Sequence, residues 1–221
     1  MPKQTFFNLP EPKRERILEQ AVLEFSTQPY AQASLSAIVS RCGISKGSIY
    51  QYFDNKLDLY RWLIFEYISQ LKLQHFREHA YDPQASFLDN LEAQLRQGQA
   101  WALARPRIAS LGARLWDATS DPQLLEMQQE ASETSVRWMR MLLLEARSKG
   151  QLREDLDLDM GAAMVSSFFR HAVMDILPQR VGVPMIQWPE RPEVLAAFGP
   201  EQQERFAREL VRFLRLGLCG R

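Results

Sequence analysis

Hydroxyl and ammonium side chains are concentrated between residues 34 and 56 of this sequence. Groups of this kind donate hydrogen bonds to phosphate oxygens and to the acceptor atoms on base edges. Residues 45 to 48 read Ser-Lys-Gly-Ser, so small side chains surround one positive charge at a single point of the chain. The candidate contacts with nucleic acid are Ser34, Ser36, Ser45, Lys46, Gly47, Ser48, Tyr50, Tyr52 and Lys56.

Two short helices joined by a tight turn are predicted to position these side chains. Ser34 is a favourable cap for the first helix, which ends at Cys42-Gly43 because glycine readily adopts a left-handed conformation. Ser45 can cap the second helix, which runs to about Tyr52. This is the pattern of a helix-turn-helix, whose second helix places its leading end in the major groove of DNA. Lys56 is then a natural phosphate contact.

The segment from Ser34 to Lys56 closely resembles the DNA-binding signature of the TetR (tetracycline-repressor) family. The resemblance rests on Gly43, the Ser-Lys-Gly-Ser run at 45–48, Ile49-Tyr50, Tyr52-Phe53 and Lys56, with Ile17, Ala21 and Phe25 in the helix before. Pro29, Ala37 and Val39 depart from the family pattern, in places that concern packing and local charge more than groove contacts. The resemblance implies a homodimer that binds a near-palindromic double-stranded DNA operator and a small-molecule effector that changes this binding.

Helical periodicity continues through the rest of the chain. A first helix is predicted from near Asn8 to Gln28-Pro29, and a fourth begins at a cap formed by Asp54 or Asn55 and runs to about Ala80. Further helices are predicted at about 84–104, 106–119, 122–148, 158–180 and 201–217, with a long proline-rich loop from Gly182 to Pro200. The sequence therefore predicts an all-α fold of about nine helices, divided into a DNA-binding domain at 1–56 and a helical effector-binding and dimerisation domain at 57–221.

The composition neither indicates nor excludes nucleic-acid binding, since Lys plus Arg and Asp plus Glu each total 27. The two cysteines, Cys42 and Cys219, lie far apart, which fits a reducing compartment better than a disulfide framework. No signal-peptide pattern and no apolar run of membrane-spanning length are visible. The sequence predicts a cytoplasmic protein with no membrane partner.

Aromatic and methionine side chains between residues 87 and 174 could shape an adaptable apolar cavity, although any helical core uses the same residues. The candidate effector pocket consists of Trp101, Trp116, Trp138, Met141, Phe168 and His171. Small side chains near residue 162 and an apolar stripe in the final helix suit close approach of helices. The candidate dimer interface consists of Ala162, Ala163, Ser166, Phe206, Leu210 and Phe213, and the resemblance implies a four-helix interface between two copies.

Signals for a metal site or for catalysis are weak. His75 and His79 have a spacing that can chelate zinc, but Phe76-Arg77 replace the glutamate of the metalloprotease motif and no third ligand is evident. The sequence has no Gly-rich phosphate loop, nucleophile elbow or paired carboxylates. We therefore expect no metal, no cofactor and no enzymatic activity.

The function predicted from the sequence is a TetR-like transcriptional regulator, a repressor that a small, largely apolar effector releases from its operator. Two other classes stay open. One is a protein of the same architecture that uses DNA as a scaffold to recruit a protein partner, and a solid interior would favour it. The other is an all-α enzyme or lipid carrier whose helix-turn-helix is incidental, which predicts only weak electrostatic affinity for DNA.

Overall fold

Five helices at the N-terminus build the unit that contains the predicted helix-turn-helix. The computed structural model describes residues 1–77, 82–117 and 121–219. These first helices are α1 Gln4–Phe7, α2 Glu11–Thr27, α3 Leu35–Cys42, α4 Lys46–Tyr50 and α5 Lys56–Trp62. The sequence does not predict α1, which forms because the fully buried Phe6 ring inserts among the rings of Tyr52, Phe53 and Trp62.

The fifth helix continues without a break into the C-terminal part of the chain. A π-helical turn, Leu63–Tyr67, joins α5 to α6 Ile68–Arg77. Of the two predicted caps for this long helix, Asn55 is the one used, since its Oδ1 accepts a hydrogen bond of 2.9 Å from the Asp58 N–H. Its predicted end near Ala80 lies outside the described residues.

The following helices agree with the predicted ranges to within a few residues. They are α7 Phe87–Ala104, α8 Pro106–Asp117, α9 Pro122–Ser148, α10 Leu158–His171, α11 Leu177–Val181 and, at the end of the chain, α13 Pro200–Leu218. A second π-helical turn, Ala172–Ile176, joins α10 to α11. The predicted end of α8 at residue 119 lies outside the described residues.

The prediction of a long loop from Gly182 to Pro200 is wrong. This stretch contains a 3₁₀ helix, Met185–Glu190, and helix α12, Pro192–Ala197. Proline stops a helix from within but is well suited to its first turn, because the missing N–H has no partner there and φ is already helical. The buried Trp188 ring anchors the 3₁₀ helix, and its Nε1–H donates to the Val183 carbonyl at 3.2 Å.

The all-α fold class is confirmed, since the described residues contain helices and no strand. They form thirteen α-helical segments. This is more than the nine or so predicted, because two π-helical turns divide long helices and α1 and α12 are additional.

One apolar core includes Ile38 and Ile49 together with Trp101, Leu111 and Met127. The core thus crosses the predicted domain boundary at residue 56, which remains a prediction. Within the described ranges, no helix is long and apolar enough to cross a membrane.

Candidate nucleic-acid interface

Local capping interactions build the turn between α3 and α4. Ser34 Oγ accepts a hydrogen bond from the Ala37 N–H at 3.4 Å and so caps α3. Gly43 ends α3 with φ 69°, a left-handed conformation that glycine adopts without steric cost. The Ile44 N–H then reaches back to the Val39 carbonyl at 3.1 Å, which closes the turn. Ile38 and Ile49 are both fully buried, so the two helices pack on one core with a fixed angle.

The leading end of α4 points away from this core. Ser45, Lys46 and Gly47 are exposed and Ser48 is half-buried. A Cβ atom added at Gly47 would meet nothing within 4 Å. The hydroxyl oxygens of Ser45 and Ser48 lie 2.8 Å apart, and Lys46 has no ion-pair partner among the described residues. A thin, polar end with one available cation is suited to enter the major groove.

The other predicted contacts divide into exposed and enclosed side chains. Tyr50 is 45% exposed, one turn beyond Lys46 along α4, and Ser36 is exposed on α3. Tyr52 is only 5% exposed because its ring packs against Phe6. Tyr52 is therefore a core residue of this unit, and the expectation that it reaches a phosphate has no support in its position.

Lys56 has a different position from the one that the sequence suggests. Its ammonium donates hydrogen bonds to the carbonyls of Tyr30 at 2.7 Å and Ala33 at 3.1 Å, and it lies 4.4 Å from the centre of the Tyr30 ring. These contacts hold the loop between α2 and α3 against the start of α5. The Lys56 charge is used inside the chain, so this residue positions the interface instead of presenting a free cation to DNA.

The N-terminal segment fixes the other end of α4. The Lys3 backbone N–H donates to the Tyr52 carbonyl at 2.8 Å, and Lys3 Nζ donates to the Tyr50 carbonyl at 2.9 Å. Between them, Thr5 Oγ1 donates to the Gln51 carbonyl. A helix of five residues is too short to be stable alone, so these three successive capped carbonyls hold it in place. The Phe6-Phe7 pair ahead of the first predicted helix was the only sequence signal for this contact.

Glu24 is a second residue that the sequence analysis does not single out. The residue is 6% exposed, and its carboxylate accepts hydrogen bonds from the Ser34 N–H at 2.8 Å and from Arg41 Nη2 at 2.6 Å. These bonds join α2 to both ends of α3. The sequence places this acidic residue beside the apolar positions Ala21 and Phe25. A carboxylate buried there requires a partner, and this could have indicated its role.

The six candidate effector residues have different environments in the structure. Trp101 is buried beside α6, whereas Trp138 and Met141 are exposed on α9. Phe168 stacks on Phe213, and His171 is exposed and pairs with Asp175 at 2.8 Å. Trp116 lines a groove of about 580 Å³, whose walls come from α8, α11 and residues 182–186.

The candidate dimer residues separate into two sets. Ala162, Phe206 and Leu210 are buried within the chain, where a second copy cannot reach them. Phe213 is 68% exposed, Ala163 is exposed and Ser166 is half-buried. Helical periodicity identified an apolar face of α13, but that face packs on the chain itself.

The weak metal signal in the sequence is the pair His75 and His79, and His79 lies outside the described residues. Among the residues that are described, no group of three His, Cys, Asp or Glu side chains could hold a metal ion.

Comparison with known proteins decides the family. Residues 17–62 match the family model of bacterial regulatory proteins, tetR family. A solved TetR family transcriptional regulator from Chloroflexus aurantiacus J-10-FL is 27% identical, with a TM-score of 0.73 and coverage of 100% of both chains. The chain therefore has a TetR-family DNA-binding domain and the TetR fold. With this domain it is a DNA-binding transcriptional regulator.

Two further relatives share less sequence identity with this chain. The HTH-type transcriptional regulator UidR of Escherichia coli (strain K12) is 25% identical over 171 residues, which are 75% of this chain and 82% of UidR. The SmeT–triclosan complex has the TetR fold with a TM-score of 0.70, at 20% identity over 95% of this chain and 93% of SmeT.

Proposed function

We propose that this TetR-family protein is a cytoplasmic repressor that binds a near-palindromic operator as a homodimer and is released by a small effector. The exposed leading end of α4, from Ser45 to Ser48, is the observation that carries the proposal. Lys46 and Ser48 would contact base edges or phosphates, while Ser36 and Tyr50 would contact phosphates beside the groove. Two such helices would be separated by about one turn of DNA, roughly 34–36 Å. A dimer on a promoter would block access of the polymerase.

An exposed apolar stripe on α10 and α13 supports the homodimer. Met160 is 62% exposed, Met164 66%, Phe213 68% and Leu216 84%. The Phe168 ring, stacked on Phe213 at 5.5 Å between centroids, connects the two helices. Large apolar side chains that share one surface are typical of protein–protein interfaces. We therefore assign the interface to this stripe together with the exposed Ala163, in place of Ala162, Phe206 and Leu210.

Helix α8 provides a physical link between the effector region and the DNA-binding unit. Arg114 of α8 donates hydrogen bonds to the Ser26 carbonyl at 3.2 Å and to the Thr27 carbonyl at 3.1 Å, at the C-terminal end of α2. Ser110 Oγ lies 2.9 Å from the same Ser26 carbonyl and 3.3 Å from the Ile186 carbonyl in the groove wall. An effector that displaces α8 would therefore move α2, and with it the helix-turn-helix.

DNA binding is tested by selecting bound fragments from the genome and measuring the affinity of the recovered operator by fluorescence anisotropy. Lys46→Gln is expected to weaken specific binding at least about tenfold, equivalent to about 1.4 kcal/mol. The matched control Lys149→Gln lies directly after the last residue of α9, far along the chain from the helix-turn-helix, and should bind normally. Equal affinity of the unchanged protein for operator and random DNA would overturn the proposal.

The homodimer is tested by sedimentation. Leu216→Ser should shift the protein towards monomer and weaken operator binding, because a monomer reads only one half-site. Leu73→Ser replaces a leucine that is also exposed, at 60%, but lies outside the stripe, and should leave the dimer intact. A monomeric unchanged protein would refute this assignment.

A further inference from the structure

Gln51 lies on the outermost face of α4, the second helix of the helix-turn-helix. Ile49 is the buried residue of α4, with 0% exposure. Gly47 precedes Ile49 by two residues and Gln51 follows it by two, and Gln51 continues the helix with φ −74° and ψ −19°. At about 100° per residue, both positions lie about 160° from Ile49 around the helix axis. The face opposite the core is therefore formed by Gly47 and Gln51.

The backbone of Gln51 is fixed, whereas its side chain is available for binding. The side chain is exposed and forms no hydrogen bond with the residues that the structure describes. The Gln51 carbonyl accepts a hydrogen bond from Thr5 Oγ1, and its N–H donates to the Ser48 carbonyl at 3.1 Å. A polar side chain on a backbone that is already ordered binds with a smaller loss of conformational entropy.

Gly47 leaves open space in front of Gln51. A Cβ atom at residue 47 would meet nothing within 4 Å, so packing within the chain does not require a glycine there. A left-handed backbone does not require it either, since the described glycines with positive φ are Gly43, Gly150 and Gly182. Helical side chains lean towards the N-terminus, so the Gln51 side chain extends over Gly47. The missing side chain thus allows an external surface to approach the helix within reach of Gln51.

The amide group on this face matches one base of double-stranded DNA. Gln51 lies four residues beyond Gly47, about 6 Å along the helix axis and less than two base-pair steps of about 3.4 Å. In the major groove, adenine presents an acceptor at N7 and a donor at its N6 amino group. A glutamine amide complements this pair, since it has one donor and one acceptor group. Guanine presents two acceptors, thymine an acceptor and a methyl group, and cytosine a donor, so none of them offers the same pair.

We propose that Gln51 determines operator specificity by recognising an adenine in the major groove, across the space that Gly47 leaves open. Its Nε2 donates to adenine N7, and its Oε1 accepts from the N6 amino group. In a dimer each copy recognises one adenine, so the A·T pair occurs once in each half-site, on opposite strands. This inference rests on the operator binding proposed above and adds a base-recognising residue to Lys46 and Ser48.

The experiment selects bound fragments from a randomised DNA pool and then measures anisotropy on operators altered at single base pairs. The unchanged protein is expected to prefer A·T over G·C at one symmetric position by at least about tenfold, which is typical of a bidentate contact. Gln51→Ala should reduce this preference to less than about threefold and leave the other positions unchanged. Gln51→Arg should shift it to G·C at the same position, because a guanidinium donates to guanine N7 and O6. Gln70→Ala removes an exposed glutamine on α6 and should retain the original preference.

Gly47→Ala tests the close approach separately. The added methyl group meets no atom of the chain, and alanine favours a helix more than glycine does, so the urea midpoint should not fall. Operator affinity should nevertheless fall at least about tenfold, because the methyl group occupies space beside the bases. Gln51→Ala should also keep the urea midpoint of the unchanged protein, since Gln51 is exposed, and this excludes unfolding as a cause.

The outcomes distinguish this inference from the proposed function. A selected operator with the same base preferences for the unchanged protein and Gln51→Ala would overturn the role of Gln51 while operator binding stands. Full operator affinity of Gly47→Ala would overturn it as well. If the unchanged protein selects no sequence from the pool, the proposed function fails and this inference fails with it.

Discussion

The role of Lys56 can be decided by one substitution, Lys56→Met. Methionine keeps the length and much of the apolar stem but removes the ammonium, which bonds to the carbonyls of Tyr30 and Ala33 and lies over the Tyr30 ring. Hydrogen bonds from a charged donor contribute about 1.5–3 kcal/mol each when well shielded, and an exposed cation–π contact about 0.5–1 kcal/mol. Because Lys56 is half-buried and water can replace part of these bonds, we expect a total loss of about 2 kcal/mol.

Two measurements separate this positioning role from a direct phosphate contact. Urea denaturation gives the change in free energy of unfolding. Anisotropy at several salt concentrations gives the slope of log affinity against log salt, which falls by about one for each phosphate contact removed. For Lys56→Met we expect lower stability, weaker operator binding and an unchanged slope, since the loop loosens but no phosphate contact is lost.

Lys46→Met is the matched comparison, because Lys46 is exposed and has no partner among the described residues. It should lower the salt slope by about one and change stability by no more than about 0.5 kcal/mol. A Lys56→Met protein of unchanged stability with a reduced salt slope would refute the positioning role and restore the phosphate contact that the sequence suggests.

Three further substitutions test the elements around the interface. Glu24→Gln should destabilise the protein by about 1–2 kcal/mol in urea, because Arg41 loses its charged partner; an unchanged midpoint would contradict this. Thr5→Val removes the hydroxyl that caps the Gln51 carbonyl. It should weaken operator binding about threefold to tenfold and leave the affinity for random DNA unaltered. An equal loss of affinity for operator and random DNA would contradict this. Arg114→Met should cost about 1–2 kcal/mol of stability by uncapping α2, and wild-type stability would argue against the link through α8.

Local sequence signals predicted the helix-turn-helix well. The capping role of Ser34 and the left-handed conformation of Gly43 depend on side-chain and backbone chemistry within a few residues. The long helix that begins after Asn55 follows from a wide apolar face, which periodicity reports directly. The fold class and the outward direction of Lys46 follow from these elements.

Contacts between distant segments could not be predicted in the same way. Lys56 bonds to carbonyls more than twenty residues earlier, and Lys3 caps carbonyls about fifty residues later, so neither role has a local pattern. The dimer face illustrates another limit. Periodicity shows that α13 has apolar positions at Phe206 and Leu210, but only the packed structure shows that these are buried and that Phe213 and Leu216 remain exposed.

The π-helical turn at Leu63–Tyr67 affects how this chain should be aligned with other family members. Such a turn contains one residue more than an α-helical turn, so every later position in the helix is rotated by about 100° relative to an uninterrupted α-helix. An ungapped alignment with a regulator that lacks the turn would therefore assign the wrong side of α6 to the interior. Deleting one residue there should turn Lys72, whose ammonium lies 5.6 Å from the centre of the Trp101 ring, away from that ring while the helix-turn-helix before it keeps its orientation.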